Sequence, residues 1–332
     1  MGRYLLSRLA AAAATLLAVC ATVFAVFQVF PAAPAQAICG KGCSPGTIAS
    51  INRALGLDRP LPERFASYLT GIVTGRDYGT GPHPVHCSFP CLGFSFQDGA
   101  TVTSLLGSRL AVSASVALGA AVLFLTGGVL VGTAAALRPG SRLDRGLMTA
   151  VLAASAPPAF LTALVLTALL PGRLGVLPYP QYTPLTDAPA AWCRGLLLPW
   201  LTLAAACTAP YARHVRTGLA RAMAEDYVRT ARAKGAGPLR TAVKHGLRPA
   251  LTPLLTLFGL QLARLLGGTV VVESVFGLPG LGHLLIQAVD QADLPVVLGV
   301  SLLAAALVLA ANLAVDLLHA ALDPRARTGG GR

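Results

Sequence analysis

Long apolar runs dominate the chain, and the polar residues between them gather in clusters rather than alternating. Crossing a hydrocarbon core of about 30 Å takes about 20 helical residues with few charges. Six runs meet that requirement, approximately Leu9 to Phe30, Leu110 to Leu137, Leu147 to Leu170, Leu196 to Ala212, Leu251 to Val272 and Val296 to Leu318. Each is rich in Ala, Leu and Val and lacks the alternation and turn rhythm of barrel strands. The pattern predicts an all-α polytopic membrane protein with six transmembrane helices. The first run competes with a secretory signal peptide, because Arg3 and Arg8 precede it and Ala35-Gln36-Ala37 resembles a cleavage site. A signal core is about 7 to 15 residues, so this longer run is read as a retained span, with Cys20 an ordinary buried cysteine.

The polar clusters add orientation. Basic loops stay on the cytoplasmic side. Arg3 and Arg8 precede the first span, and Arg138, Arg142 and Arg145 separate the second from the third. Arg213 to Arg248 holds nine Lys or Arg residues against Glu225 and Asp226, whereas Glu273 to Pro295 carries Glu273, Asp290 and Asp293 and no Lys or Arg. Both termini are therefore expected in the cytoplasm. With 12% charged residues, 55% hydrophobic ones and a mean hydropathy of +0.67, water is not the main solvent of this chain. The net charge of +13 is a topology signal, compatible with attraction to anionic membrane lipid, and not the polar basic surface of a nucleic-acid binder.

These assignments divide the chain into residues 1–30, a cytoplasmic N-terminus and first span; residues 31–108, an extracytoplasmic segment; residues 109–320, the core transmembrane domain with a loop at 213–248; and residues 321–332, a cytoplasmic tail. Of the 78 residues in 31–108, 19 are Gly or Pro, which predicts a loop-rich lid with short helices. It holds two Cys-x3-Cys pairs, Cys39 with Cys43 and Cys87 with Cys91. In an oxidising compartment the four cysteines read as two disulfides in any of three connectivities, with a metal or iron-sulfur site as the alternative; His83 and His86 lie beside the second pair. Residues 225–253, EDYVRTARAKGAGPLRTAVKHGLRPALTP, predict a helix from Glu225 to Lys234, a stop at Gly235-Ala236-Gly237-Pro238 and a second helix from near Leu239 into the fifth span.

The wording of this segment resembles the cytoplasmic signature of permease subunits in binding-protein-dependent ABC importers, specifically the dipeptide and oligopeptide family. The general importer motif is Glu-Ala-Ala, three residues, then Gly. Ala231 and Gly235 keep the second Ala and the Gly, while Arg229 and Thr230 replace the Glu and first Ala and Pro249 is displaced by one. The peptide branch matches more closely over Glu225-Asp226-Tyr227-Val228-Arg229-Thr230-Ala231-Arg232-Ala233-Lys234-Gly235. Further matches follow in order: Arg3-Tyr4-Leu5-Leu6, Leu55-Gly56-Leu57-Asp58-Arg59-Pro60-Leu61-Pro62, Arg138-Pro139-Gly140-Ser141 with Leu143-Asp144-Arg145, Val271-Val272-Glu273-Ser274-Val275-Phe276 with Pro279-Gly280-Leu281-Gly282, and Leu322-Asp323-Pro324-Arg325. The segment from Cys39 to Cys91 is the least typical.

The resemblance implies the type I importer permease fold, a second homologous permease subunit, two ABC ATPase subunits and an extracellular solute-binding protein. It implies that the turn from Ala231 to Gly235 is a coupling helix seated in an ATPase cleft, with Glu225, Asp226, Tyr227, Arg229, Thr230, Arg232 and Lys234 around it, so that closure of the ATPases tilts the spans. No cofactor is expected in this chain, since ATP and Mg would be bound by the ATPases. No G-x-x-x-x-G-K-[ST], H-E-x-x-H or G-x-S-x-G occurs, so the chain is not read as an enzyme. A stand-alone secondary transporter or channel is the rival reading, and would need a complete site within nearly charge-free spans.

Four features lie within or beside the spans. Arg264, midway along the fifth, costs roughly 2.5 to 3.5 kcal/mol at a membrane centre and so reads either as a translocation-pathway residue or as half of a structural ion pair. Asn312, Asp316, His319 and Asp323 share one face of the last span and are expected to pack against basic loop residues. Gly128 and Gly132 have the spacing that lets helices approach closely. Phe276 to Pro295 reads as a short outward or re-entrant helix, or as a plain connection.

Overall fold

The computed structural model describes residues 2–29, 44, 46, 59–78, 85–95, 97–235 and 237–322. Helices carry nearly all of it: α1 (Gly2–Val29), α2 (Leu61–Thr74), α3 (Val102–Leu137), α4 (Arg142–Ser155), α5 (Ala159–Thr167), α6 (Pro189–Ala222), α7 (Asp226–Ala233), α8 (Pro238–Thr241), α9 (Leu247–Phe276), α10 (Leu281–Asp290) and α11 (Leu294–Leu322). Wider π-helical turns follow α5 at Ala168–Arg173 and α8 at Ala242–Gly246. Among the described residues, α3, α6 and the Leu294–Val315 part of α11 are long and apolar enough to cross a membrane. Two pairs of shorter helices, α4 with α5 and the end of α9 with α10, raise this to five if each pair is one span.

The continuous third span expected from Leu147 to Leu170 is broken. α4 and α5 meet at 100° across residues 156–158. Pro157 and Pro158 explain the break, because proline lacks the amide hydrogen of the helical ladder and its ring clashes with the carbonyl four residues earlier, so the ladder ends although Ala156 is still helical at φ −73° and ψ −40°. Pro158 itself is extended, with φ −56° and ψ 146°.

The chain forms two compact units. One comprises Met1–Ala111 with Gly280–Ala310, the other Val112–Pro279 with Ala311–Arg332. In the first, Phe24 of α1 meets Phe65 of α2 at 5.4 Å between ring centroids. Two short antiparallel hairpins follow α2, β1 (Arg76–Tyr78) with β2 (Val85–Cys87), and β3 (Phe94–Ser95) with β4 (Ala100–Thr101). Strands of two or three residues are too short for alternation to register, so the expected lid of loops and helices lacked them. A disulfide joins Cys87 to Cys91. Val102 and Leu106 pack with Leu281, Leu284, Val296, Val297 and Val300 to form this unit's apolar core. Ser95 Oγ donates to the buried Asp293 carboxylate, fixing the second hairpin to the corner before α11. Burial is the main influence on Asp293 and pushes its carboxyl up.

The second unit is built on α3 and α6, which run parallel. Successive contacts establish the direction: a Cβ on Gly119 would stand 2.1 Å from the Trp200 ring, one on Gly128 2.5 Å from Tyr211 Cβ, and one on Gly132 2.6 Å from the Ala212 carbonyl. Phe124 and Tyr211 meet between them with ring centroids 5.0 Å apart and the rings tilted. Pro199 inside α6 cannot donate to the Gly195 carbonyl four residues earlier. Gln181 N–H takes that acceptor at 3.3 Å, which folds the preceding loop over the helix. α9 runs antiparallel to α6, with Gly246 beside Leu219 and Gly268 beside Leu203. Its stripe Leu254, Gln261, Leu265, Thr269 and Val272 is buried at helical spacing. Glu273 ends that stripe, fully buried, accepting from Ser113 Oγ of α3 at 2.6 Å.

Candidate functional site

Between α6 and α9 the polar segment folds into two short helices and a turn. α7 opens with Asp226 in its first turn, which complements the helix dipole, and Arg229 stands 3.6 Å from it. Val228 and Arg229 donate their amides to the Glu225 carbonyl, and Thr230 Oγ1 returns to that of Asp226 at 3.0 Å. Eight residues make a marginal helix alone. Packing supplies the rest: Val228 is fully buried and Ala231, one turn on, is half-buried. Glu225, Asp226, Tyr227, Arg229, Thr230 and Lys234 are exposed, with Tyr227 at 47%. Gly235 ends the turn at φ +85°, a left-handed conformation that favours glycine, and nothing lies within 4 Å of where its Cβ would stand.

The return from this turn is seated tightly. Ala242 packs with Leu219 of α6, with Met223 just past its end and with Ala136 of α3. A Cβ on Gly246 would stand 2.4 Å from Leu219 Cδ1, so α9 starts directly against α6. Buried Thr241 donates to the Gly237 carbonyl at 2.9 Å. Both ends of the loop are thus held on the end of α6 while α7 projects a polar face carrying one aromatic ring. That arrangement offers a polar surface and, among its described residues, no reactive cluster.

A second assembly sits beside it. In the turn between α3 and α4, Ser141 caps α4 by accepting from the Asp144 amide, and Asp144 accepts from the Gly140 amide at 2.9 Å. The same carboxylate receives Arg216 of α6 through Nε at 2.5 Å and Nη2 at 2.7 Å. The Arg216 hydrogen bond, helped by the Gly140 amide, holds the Asp144 carboxyl down at about 2. The sequence reading used this stretch for topology and resemblance and missed the pair. Its available signal was Ser141 three residues before Asp144, a helix-start pattern.

Arg264 lies in α9, but its side chain and that of Arg232 fall outside the described residues, as do Cys39, Cys43, His83 and Asp323 and the side chains of Asp316 and His319. Cys87 is buried in β2 and bonded to Cys91. Asn312 Oδ1 is 3.4 Å from where a Cβ on Gly259 would stand, so that polar group faces α9.

The sequence pattern of the family described as binding-protein-dependent transport system inner membrane component matches residues 128–328, and its N-terminal counterpart matches residues 1–117. A Brucella abortus protein named as a peptide transport system permease is 36% identical over 327 residues, covering 98% of this chain and 99% of the relative. A peptide ABC transporter permease protein of Sinorhizobium fredii is 33% identical over 327 residues, 98% of this chain and 100% of its own length. A glutathione transport system permease protein of Salmonella typhi is 36% identical over 327 residues, 98% and 99%. With both family patterns matched, likeness running nearly end to end, and several membrane-length apolar helices, the chain belongs to the binding-protein-dependent transport system inner membrane components and is a multi-pass permease.

Proposed function

We propose that the protein is one of two permease subunits of an ATP-binding-cassette importer for peptides or a related small solute such as glutathione, crossing the bacterial inner membrane six times with both termini in the cytoplasm. The single observation that carries this is α7, exposed and polar, projecting from a base locked to α6 and α9 in a chain similar throughout to peptide permeases. Glu225, Asp226, Tyr227, Arg229, Thr230, Ala231, Arg232, Lys234 and Gly235 form the surface that two ABC ATPases engage, one on each permease, and ATP and Mg are bound by those partners. A homologous permease completes the pathway, and an extracellular solute-binding protein delivers cargo. The parallel run of α3 and α6 supports the count, since the chain between them must return across the membrane and α4 with α5 is the apolar segment available. Arg264 lines the pathway and meets a carboxylate of the passing substrate or an acid on the partner permease. Residues 31–108 form the extracytoplasmic lid, with Cys39 and Cys43 paired like Cys87 and Cys91. Residues 109–320 form the core, with the coupling loop at 213–248.

Purification from native membranes tests the reading. Two ATPases and a second permease are expected to co-purify; a lone monomer or homodimer with full transport activity overturns it.

A further inference from the structure

α4 is held in an unusual way for an apolar helix. Among its described residues, 142–155, Asp144 alone is buried. The remaining residues are exposed or half-buried, and α4 also packs along α6 through these half-buried positions. What fixes the direction of its first turn is a carboxylate with three donors, Arg216 Nε, Arg216 Nη2 and Gly140 N–H. A bidentate guanidinium–carboxylate pair sets direction as well as distance, which an apolar contact does not.

The location of Arg216 gives the pair its meaning. It lies one turn from Leu219 and two from Met223, the residues that seat Ala242 and Gly246 on the far side of α7. The end of α6 therefore holds the return of the α7 loop on one side and the start of α4 on the other. At the opposite end of α4, Pro157 and Pro158 interrupt the helical ladder and make the 100° corner with α5. Proline breaks of this kind act as joints because the hydrogen bonds that would resist bending are missing.

We infer that the Asp144–Arg216 pair is a positioning clamp for coupling: it makes α4 travel with α6 when α7 is driven, so that the stroke reaches the Pro157-Pro158 joint and changes the angle between α4 and α5. Asp144 and Arg216 touch neither cargo nor nucleotide and act through the helices they join. This inference rests on the coupling role proposed for α7.

Paired spin labels on the assembled transporter test it. Among the described residues the cysteines outside a disulfide, Cys20, Cys193 and Cys207, are replaced, and labels are placed at exposed sites through Thr149→Cys in α4 and Arg213→Cys in α6. In the otherwise native chain the distance between labels is expected to be the same without nucleotide and after vanadate trapping. In Asp144→Asn it should broaden and shift on trapping, with ATP hydrolysis kept within about twofold and cargo uptake lowered about tenfold. Arg216→Lys keeps the charge without the fork and should show an intermediate distribution, which covers the case of Asp144→Asn failing to assemble. A native distance that shifts on trapping as much as the variant's overturns the clamp, as does a variant distance that stays fixed. Failure of the ATPases to co-purify with the unsubstituted chain strikes the permease reading instead, and is scored separately.

Discussion

At Gly128 the distance between two helices is decided by a missing methyl group. A Cβ there would stand 2.5 Å from Tyr211 Cβ and 3.3 Å from the Ala212 amide nitrogen, inside a backbone that cannot yield as a flexible side chain can. Gly128→Val is expected to destabilise the protein by about 1–3 kcal/mol or more, read as earlier thermal aggregation in detergent. Gly107 in the same helix meets nothing within 4 Å, so Gly107→Ala should be neutral or stabilising by up to about 1 kcal/mol. Equal loss at both sites would show that the close approach is not what matters. Asp144 gives a second prediction at this scale. Its carboxyl is held at about 2 by Arg216, below its ordinary value of 3.8, so its contribution is complete above that value and lost as pH falls through the folded one. The stability gap between the native chain and Asp144→Asn should stay constant from pH 7 to about 5 and close between about 4 and 2. A gap that closes near neutrality contradicts the assignment.

At the scale of elements, α7 depends on the turn that ends it. An alanine at a left-handed position costs roughly 1–2 kcal/mol, while asparagine tolerates that region better. Since Gly235 is exposed at φ +85° with open space around it, Gly235→Ala should leave expression intact and lower ATP-driven uptake in proteoliposomes, and Gly235→Asn should lower it less. Equal uptake in both variants would mean that the turn's backbone is irrelevant to coupling. The α4–α5 corner shows the limit of reading helices from hydropathy. Leu147 to Leu170 is apolar throughout, and a hydropathy count weighs Pro157 and Pro158 as two mildly apolar residues. Their effect is on backbone geometry, which such a count does not carry. The helix over Glu225 to Lys234 was legible, by contrast, because a charged start and a Gly-Pro stop are local signals; the structure gives Asp226–Ala233.

For the whole molecule, the proposal fixes sidedness. A fluorescent protein fused after Arg332 should fluoresce, and alkaline phosphatase inserted after Asp98 should be active, since each reporter works on only one side of the membrane; reversed signals would invert the topology. Composition and order along the chain determined a good deal by themselves. Scarcity of charge marked the membrane-length helices, and the run of motif words from Arg3 to Arg325 identified the family, because both are properties of consecutive residues. Contacts between residues far apart in the chain were decided only by tertiary structure. Asp144 meets Arg216 across 72 positions, Ser113 meets Glu273 across 160, and Ser95 meets Asp293 across 198. In the sequence none of these residues carries a sign of which partner, among many polar residues, satisfies it. Burial removes water as the alternative partner, so the polar groups that survive inside are those the packing brings to one another.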